Sequence, residues 1–431
     1  MLIPPGLRDV IPPGISSYLS SSSSGSGDRD PRQDRQFRRW ASAAFVPFDY
    51  QADIIGGLLA RAGTAEGIGM LMLPTGAGKT STAVATVLRD LKSLQSTDAL
   101  VVWIAPQVEL LSQAAGSFER VWAAGEGPDS IDVSFLRASA AAPADGRPAV
   151  LLATPLAAAK FVRNLGLSNR VRYLVFDEAH HLGAERFGEA WRQLVHASPS
   201  MRLALGLSAT PTRSETATFA DLEDALDRRV FYPKKLLPDP AAMLTDRGVL
   251  AEVEFRLVPG VPAHCARVDR TDDALKALTG EPDYWMACIQ CAAKFQSRLI
   301  VYCPERTSGK LFAAHLRAIG VSAEYIDGED SYGARIAALE RFRDGRTSVL
   351  VNVQLLLEGI DAPAAAGALV TYPIQSAIRL SQIVGRVMRG TVLGGTSTAT
   401  VLCANPNMLA QLQGAVRSSD YGGYWSRGVA L

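Results

Sequence analysis

Leu73-Pro-Thr-Gly-Ala-Gly-Lys-Thr80 is the stretch from which the rest of the chain can be read. A short apolar run at residues 69–73 leads into it, and residues 80–94 follow with apolar side chains at helical spacing. A glycine-bearing loop between a strand and a helix is the setting in which backbone N–H groups turn onto phosphate oxygens, at a helix N-terminus already biased toward anions. Pro74, Thr75, Gly76, Ala77 and Gly78 form that cradle. Lys79 brings positive charge to the β and γ phosphates of a nucleoside triphosphate, and the Thr80 hydroxyl is a ligand for Mg²⁺. Position 73, where the usual pattern has Gly, is Leu, while the Thr-Gly-x-Gly-Lys-Thr core is kept.

A second stretch, Val175-Phe-Asp-Glu-Ala-His180, belongs to the same chemistry. Residues 173–176 read as a strand that delivers Asp177 and Glu178 at its carboxyl end, where open α/β sheets build their sites. Asp177 is placed to hold Mg²⁺, directly or through water, and Glu178 to orient an attacking water as general base. Alone, an Asp-Glu pair after a strand reads as the cap of the next helix. Beside a phosphate loop it reads as nucleotide hydrolysis.

With 431 residues, two to three domains are expected at about 150 residues each. Hydrophobic residues make up 48%, enough for a sizeable core. The formal net charge is +1, from 44 basic and 43 acidic side chains, which excludes a strongly basic coat and leaves room for a local basic groove. The five cysteines are too few and scattered for a disulfide framework and fit a reducing, cytoplasmic compartment. Cys288-x-x-Cys291, with His264 and Cys265 upstream, invites a zinc reading. The pair lies in the apolar run Tyr284-Trp-Met-Ala-Cys-Ile-Gln-Cys-Ala-Ala293 and a second knuckle is lacking, so core packing is the reading and no structural zinc is expected. No run of 18 apolar residues predicts a membrane span, and the N-terminus lacks the pattern of a secretory signal.

The order along the chain supplies the fold class. Residues 1–40, rich in Ser, Gly and Arg, offer little apolar surface and are expected to be a disordered tail. From residue 41 short apolar runs at 100–105, 149–153, 173–176 and 203–207 alternate with helical segments. Residues 231–260 carry four prolines without clean periodicity and read as an interdomain linker. The alternation resumes over residues 261–410, with strands at 299–302, 323–326, 348–353, 368–371 and 398–403, and residues 411–431 read as a C-terminal tail. Strands alternating with helices predict an α/β protein of two domains, 41–230 and 261–410, each a mostly parallel β-sheet flanked by helices.

Taken together these stretches resemble superfamily 2 helicases of the DEAD/DEAH-box kind. Asp177-Glu-Ala-His180 matches motif II, Ser208-Ala-Thr210 motif III, Glu358-Gly-Ile-Asp361 the end of motif V, and Gln382-x-x-Gly-Arg386-x-x-Arg389 motif VI. Tyr50-Gln51 is similar to the adenine-reading Q motif, although an Arg often found two residues before the Tyr is Phe48 here. Pro106 through Gln113 resembles motif Ia, Ala153-Thr-Pro155 motif Ib, and Val301-Tyr-Cys303 motif IV. The resemblance covers about residues 45–405, and Asp-Glu-Ala-His-His181 with Leu-Ser-Ala-Thr-Pro-Thr-Arg213 is similar to the branch of restriction-enzyme helicase subunits and excision-repair helicases.

The resemblance implies two RecA-like domains with ATP and Mg²⁺ in the cleft between them. It implies that Gln51, Gly359 and Asp361 contact the nucleotide and that Gln382, Arg386 and Arg389 serve hydrolysis. Arg386 and Arg389, three apart, are expected on one helix face, positioned to stabilise transition-state charge on the γ-phosphate. His180, Ser208 and Thr210 would couple hydrolysis to movement, and Pro106, Gln113, Thr154 and Thr371 would touch the nucleic acid. Where the family commonly places a backbone-contacting Thr, five residues before Glu358, this chain has Val353. The expected track is single-stranded or forked DNA, in a prokaryotic or phage-like setting. An RNA-remodelling ATPase and a duplex-binding ATP-dependent clamp are the alternatives. Protein partners would supply specificity to so small a motor.

Overall fold

The computed structural model describes residues 35–36, 45–96, 98–136, 143, 146–164, 166–209, 225–265, 281–353, 365–374, 377–417 and 429–431. The chain divides into two compact units. One comprises residues 31–243 with 419–431, and the other holds 244–418.

The first unit is built on a nine-stranded sheet in the order β1-β4-β5-β3-β6-β7-β2-β8-β15. Its strands are β1 (Arg35–Gln36), β2 (Ile68–Met72), β3 (Leu100–Ile104), β4 (Asp132–Phe135), β5 (Ala149–Ala153), β6 (Val171–Asp177), β7 (Leu203–Ser208), β8 (Val230–Tyr232) and β15 (Val429–Ala430). All pairings are parallel except β1 with β4. Parallel strands need crossovers, and α2 (Lys79–Leu94), α3 (Val108–Ala123), α4 (Pro155–Asn164) and α5 (Glu185–Ala197) belong to them, while α1 (Asp49–Arg61) precedes β2. Strands β3, β5 and β7 are buried at every residue, as their unbroken apolar runs require of a sheet covered on both faces. In α5 the buried residues Gly188, Trp191 and Leu194 recur every third position, so one stripe meets the sheet. Burying each such Leu or Trp contributes roughly 2 kcal/mol.

The second unit carries six parallel strands in the order β11-β12-β10-β13-β14-β9. They are β9 (Glu252–Leu257), β10 (Leu299–Tyr302), β11 (Ala323–Ile326), β12 (Val349–Asn352), β13 (Gly367–Val370) and β14 (Thr398–Cys403). Its helices are α7 (Pro282–Lys294), α8 (Arg306–Ala318), α9 (Tyr332–Arg343), α10 (Ala377–Val387) and α11 (Pro406–Arg417), while α6 (Pro240–Asp246) straddles the boundary between units.

Three expectations about the flanks are corrected. Residues 231–260 are not an irregular linker, because β8 completes its pairing with β2 there and β9 adds an edge strand to the second sheet. Residues 411–431 are not simply a tail. Helix α11 runs to Arg417, and β15 pairs with β8 of the first unit. Within the tail expected at residues 1–40, Arg35 and Gln36 pair with Val133 and Asp132, and the rest lies outside the described residues.

Candidate active site

Parallel order brings the carboxyl ends of β5, β3, β6, β7 and β2 to one edge of the first sheet. Thr154 follows β5, Pro106 lies just past β3, Asp177 ends β6, Ser208 ends β7, and the loop from Leu73 follows β2. Residues far apart in sequence therefore converge on one line.

At its centre the Thr80 hydroxyl donates to Asp177 Oδ2 at 3.2 Å, and the Glu178 N–H donates to Asp177 Oδ1 at 3.1 Å. Lys79, almost fully buried, points Nζ at the Leu73 carbonyl, 3.4 Å away. Gly76 and Gly78 have φ of +87° and +82°, a left-handed backbone that exposes N–H groups to the concave side of the loop. Glu178 also has a positive φ, +54°, which costs about 1 kcal/mol or more and holds its carboxylate off the strand axis. His180 Nδ1 lies 3.4 Å from Glu178 Oε2, in a buried position and without a hydrogen bond to it.

Burial pushes the Asp177 carboxyl up to about 7, and the neighbouring Glu178 charge adds to this. Lys79, the Glu178 N–H and the Thr80 hydroxyl pull the other way. A buried carboxylate beside a half-buried one, with a single lysine, has a deficit of positive charge that a divalent cation meets. A hydroxyl and a carboxylate oxygen side by side, a glycine cradle and a lysine form a donor set that fits a triphosphate with Mg²⁺.

Helix α1 braces the loop. The Tyr50 hydroxyl and Gln51 Nε2 both donate to the Ala77 carbonyl, at 3.0 and 3.2 Å. Gln51 Oε1 in turn accepts from the Phe48 N–H at 3.0 Å. A Cβ at Gly78 would stand 2.4 Å from Gln51 Nε2 and push that amide off the Ala77 carbonyl, and its φ of +82° favours glycine as well. Gln51 is buried, its amide nitrogen bonding the loop and its oxygen the helix start. Phe48 stacks on Tyr50 with ring centroids 5.6 Å apart, filling the place where an Arg was noted as usual.

Sequence reasoning missed two supports. Asp90 of α2 accepts from the Tyr173 hydroxyl (2.8 Å) at the start of β6 and from Arg202 Nε (2.7 Å) and Nη2 (2.9 Å) just before β7. This network ties together the elements that carry Lys79, Asp177 and Ser208. Burial and the Asp90 charge hold the Tyr173 hydroxyl neutral, and the carboxylate raises the Arg202 guanidinium. The only signal in sequence was an Asp among apolar neighbours in an amphipathic helix. Gly206 is the second. A Cβ there would fall 2.8 Å from Ala179 Cβ, so the missing side chain lets the segment after Asp177 pack on β7.

The remaining expected residues fall in several places. Gln113 is half-buried on α3. Ser208 is fully buried, its carbonyl 3.4 Å from the Leu73 N–H. Thr371 is corrected: it is buried, its hydroxyl donates to the Tyr302 carbonyl at 2.8 Å and its carbonyl accepts from the Tyr284 hydroxyl, so it holds the second core together rather than facing nucleic acid. Arg386 and Gln382 lie on α10, one turn apart. Arg389 does not share that helix face. The helix ends at Val387, and Arg389 makes an isolated antiparallel bridge with Leu250. Val353 is half-buried and packs among the core residues around β10 and β12. Thr210, Gly359 and Asp361 lie outside the described residues.

Residues 49–219 match the DEAD/DEAH box helicase family model, and residues 282–391 match the helicase conserved C-terminal domain. The ATP-dependent RNA helicase DBP10 of Yarrowia lipolytica is 29% identical over 332 residues, covering 69% of this chain and 35% of that protein. Its namesake from Chaetomium globosum is 28% identical over 346 residues, covering 74% of this chain and 43% of that protein. The chain thus spans under half the length of these relatives. Among solved structures, S. cerevisiae Dbp5 bound to RNA and ADP BeF3 superposes with a TM-score of 0.57 at 13% identity, covering 87% of this chain and 92% of that one. A Dbp5 variant bound to a Gle1 variant and IP6 gives the same TM-score at 15% identity, covering 87% and 90%. These likenesses show two RecA-like α/β folds. They also correct two expectations. The relatives bear the name of RNA helicases, so neither the restriction-enzyme and excision-repair branch nor DNA as the track is upheld, and the Asp177-Glu-Ala-His180 string does not carry that branch assignment.

Proposed function

We propose, from a chain that carries a DEAD/DEAH box helicase domain followed by a helicase conserved C-terminal domain, that it is an RNA-dependent ATPase that moves along or remodels RNA. The observation that carries the substrate class is the run of RNA helicases matching 69–74% of the chain across both units. The observation that carries the chemistry is the intact set of Lys79, Thr80, Asp177 and Glu178 on one sheet edge.

The loop 74–78 and Lys79 bind the triphosphate, with Lys79 turning from the Leu73 carbonyl to the β and γ phosphates. Thr80 and Asp177 would hold Mg²⁺, which when bound would neutralise the developing charge. Glu178, turned by its positive φ, takes a proton from the attacking water. Tyr50 and Gln51 keep the Ala77 carbonyl turned away so that the loop amides stay directed at phosphate. Gln382, Arg386 and Arg389 are proposed, on the resemblance, to serve the same reaction. Asp361 and Gly359 are proposed to hold the nucleotide, and Pro106, Gln113 and Thr154 to touch RNA.

The test is ATPase turnover with single-stranded RNA and single-stranded DNA of the same sequence. RNA should stimulate the wild type well beyond DNA, and Glu178→Gln should lose turnover while still binding nucleotide. Stimulation by DNA alone would overturn the substrate reading, and normal turnover in Glu178→Gln would overturn the base.

A further inference from the structure

Within the second unit, three unlike side chains meet. After β9 the chain makes a turn in which the Cys265 N–H donates to the Pro262 carbonyl at 3.0 Å. His264 and Cys265 there face Glu281, the residue that precedes α7 at its N-terminus. One ligand atom from each of His264, Cys265 and Glu281 lies within 4.8 Å of the other two, and His264 Nε2 is 3.5 Å from Glu281 Oε2. This is not the Cys288-x-x-Cys291 pair. Cys288 is fully buried on α7 among Trp285, Ile289 and Phe312, and Cys291 packs against the edge of the same core.

We infer that His264, Cys265 and Glu281 form a binding site for a divalent cation of the zinc class, separate from the proposed Mg²⁺ site. Nitrogen, sulfur and oxygen from three residues are the donor mix that zinc takes, with water completing the coordination. Ligands bonded at about 2.0–2.3 Å in a tetrahedral site stand roughly 3.3–3.8 Å apart, a spacing that small side-chain rotations reach from the one observed. The charges agree. Cys265 is buried beside the carboxylate of Glu281, negative charge that a divalent cation would offset. The half-exposed Glu281 and the exposed His264 provide an entry path, while Cys265 is buried and sets depth. A plain surface ion pair between His264 and Glu281, both largely exposed, would contribute little and leaves the position of the sulfur unexplained. A bound cation would pin the turn at 262–265 to the first turn of α7, fixing one end of the helix that covers β10.

The test uses the full chain, stripped with a chelator and titrated with Co²⁺ and then Zn²⁺ alone. The site predicts one equivalent of Co²⁺, a thiolate-to-cobalt absorption band in the near ultraviolet, displacement by Zn²⁺, and release of about one proton per ion bound. Cys265→Ser should abolish the band, and Cys291→Ser should leave it unchanged. His264→Ala, at an exposed position that does not endanger folding, should weaken Co²⁺ binding about tenfold or more. Absence of a saturable band in the wild type overturns the inference and leaves an ion pair. So does a band that survives Cys265→Ser or that His264→Ala does not weaken.

Discussion

Two donors converge on one buried carbonyl, and their coupling can be measured. Ala77 is almost wholly buried, and its oxygen accepts from Tyr50 and from Gln51. Removing either donor alone leaves the oxygen with one partner and should cost about 0.5–1.5 kcal/mol. Removing both leaves a buried carbonyl unsatisfied, which adds roughly 1–3 kcal/mol. A cycle of Tyr50→Phe, Gln51→Leu and the double variant should therefore be non-additive by about 1 kcal/mol or more. The Phe48 N–H, which loses its acceptor in both Gln51 variants, cancels in the cycle. Because Ala77 lies in the phosphate loop, the cost appears when the loop must order around a ligand. Affinity for ATP, measured by equilibrium binding, should fall only a few-fold in each single variant and about tenfold more than their product in the double, at about 1.4 kcal/mol per tenfold. Strict additivity, or a double variant that binds ATP as the wild type does, refutes the clamp.

Other outcomes follow from the same geometry. Glu178→Gln should lower kcat by about 10²–10⁴-fold with little change in nucleotide affinity, read by steady-state ATPase and equilibrium binding. Asp177 has its folded pKa raised to about 7 from 3.8, so its contribution to stability is complete below the ordinary carboxylate range and is lost as pH climbs through 4 to 7. Asp177→Asn, fixed in the neutral form, should escape that loss: without nucleotide its Tm should exceed the wild-type value at pH 8 and approach it at pH 4, while ATPase vanishes. Thr371→Val should reduce stability by about 1–2 kcal/mol in denaturant unfolding and leave RNA affinity unchanged. Asp90→Asn strips the charge partner from Arg202 and should destabilise the first unit by about 3 kcal/mol, shown by earlier loss of the Trp fluorescence of Trp103 and Trp122.

The phosphate loop and Asp177-Glu178 were legible because each is local: a strand, a turn and a helix start fix their chemistry within a few residues. Their meeting was legible because parallel strands put all carboxyl ends on one edge. Thr371 misled because a polar residue after a strand usually faces solvent, whereas this one closes a gap between β10 and β13 with its own hydroxyl. Arg389 misled because the helical repeat was extended past Val387, where the backbone turns to pair with Leu250. The Asp90–Tyr173–Arg202 network joins residues more than 80 positions apart, beyond any local pattern. RNA could not be told from DNA, since contacts to a phosphate backbone are shared by both and the 2′-hydroxyl leaves no short motif.

Strand β15 carries a consequence for how the protein is made. Val429 and Ala430 pair with Phe231 and Tyr232, and the Leu431 N–H donates to the Tyr232 carbonyl. The edge they cover is therefore completed about 200 residues after the strand it belongs to has left the ribosome. Through the synthesis of the whole second unit, β8 presents a bare row of backbone groups to any neighbouring nascent chain. A variant lacking residues 429–431 keeps that edge bare after synthesis as well, so it should retain its nucleotide chemistry yet aggregate more than the full chain once purified, while the two should behave alike up to chain completion.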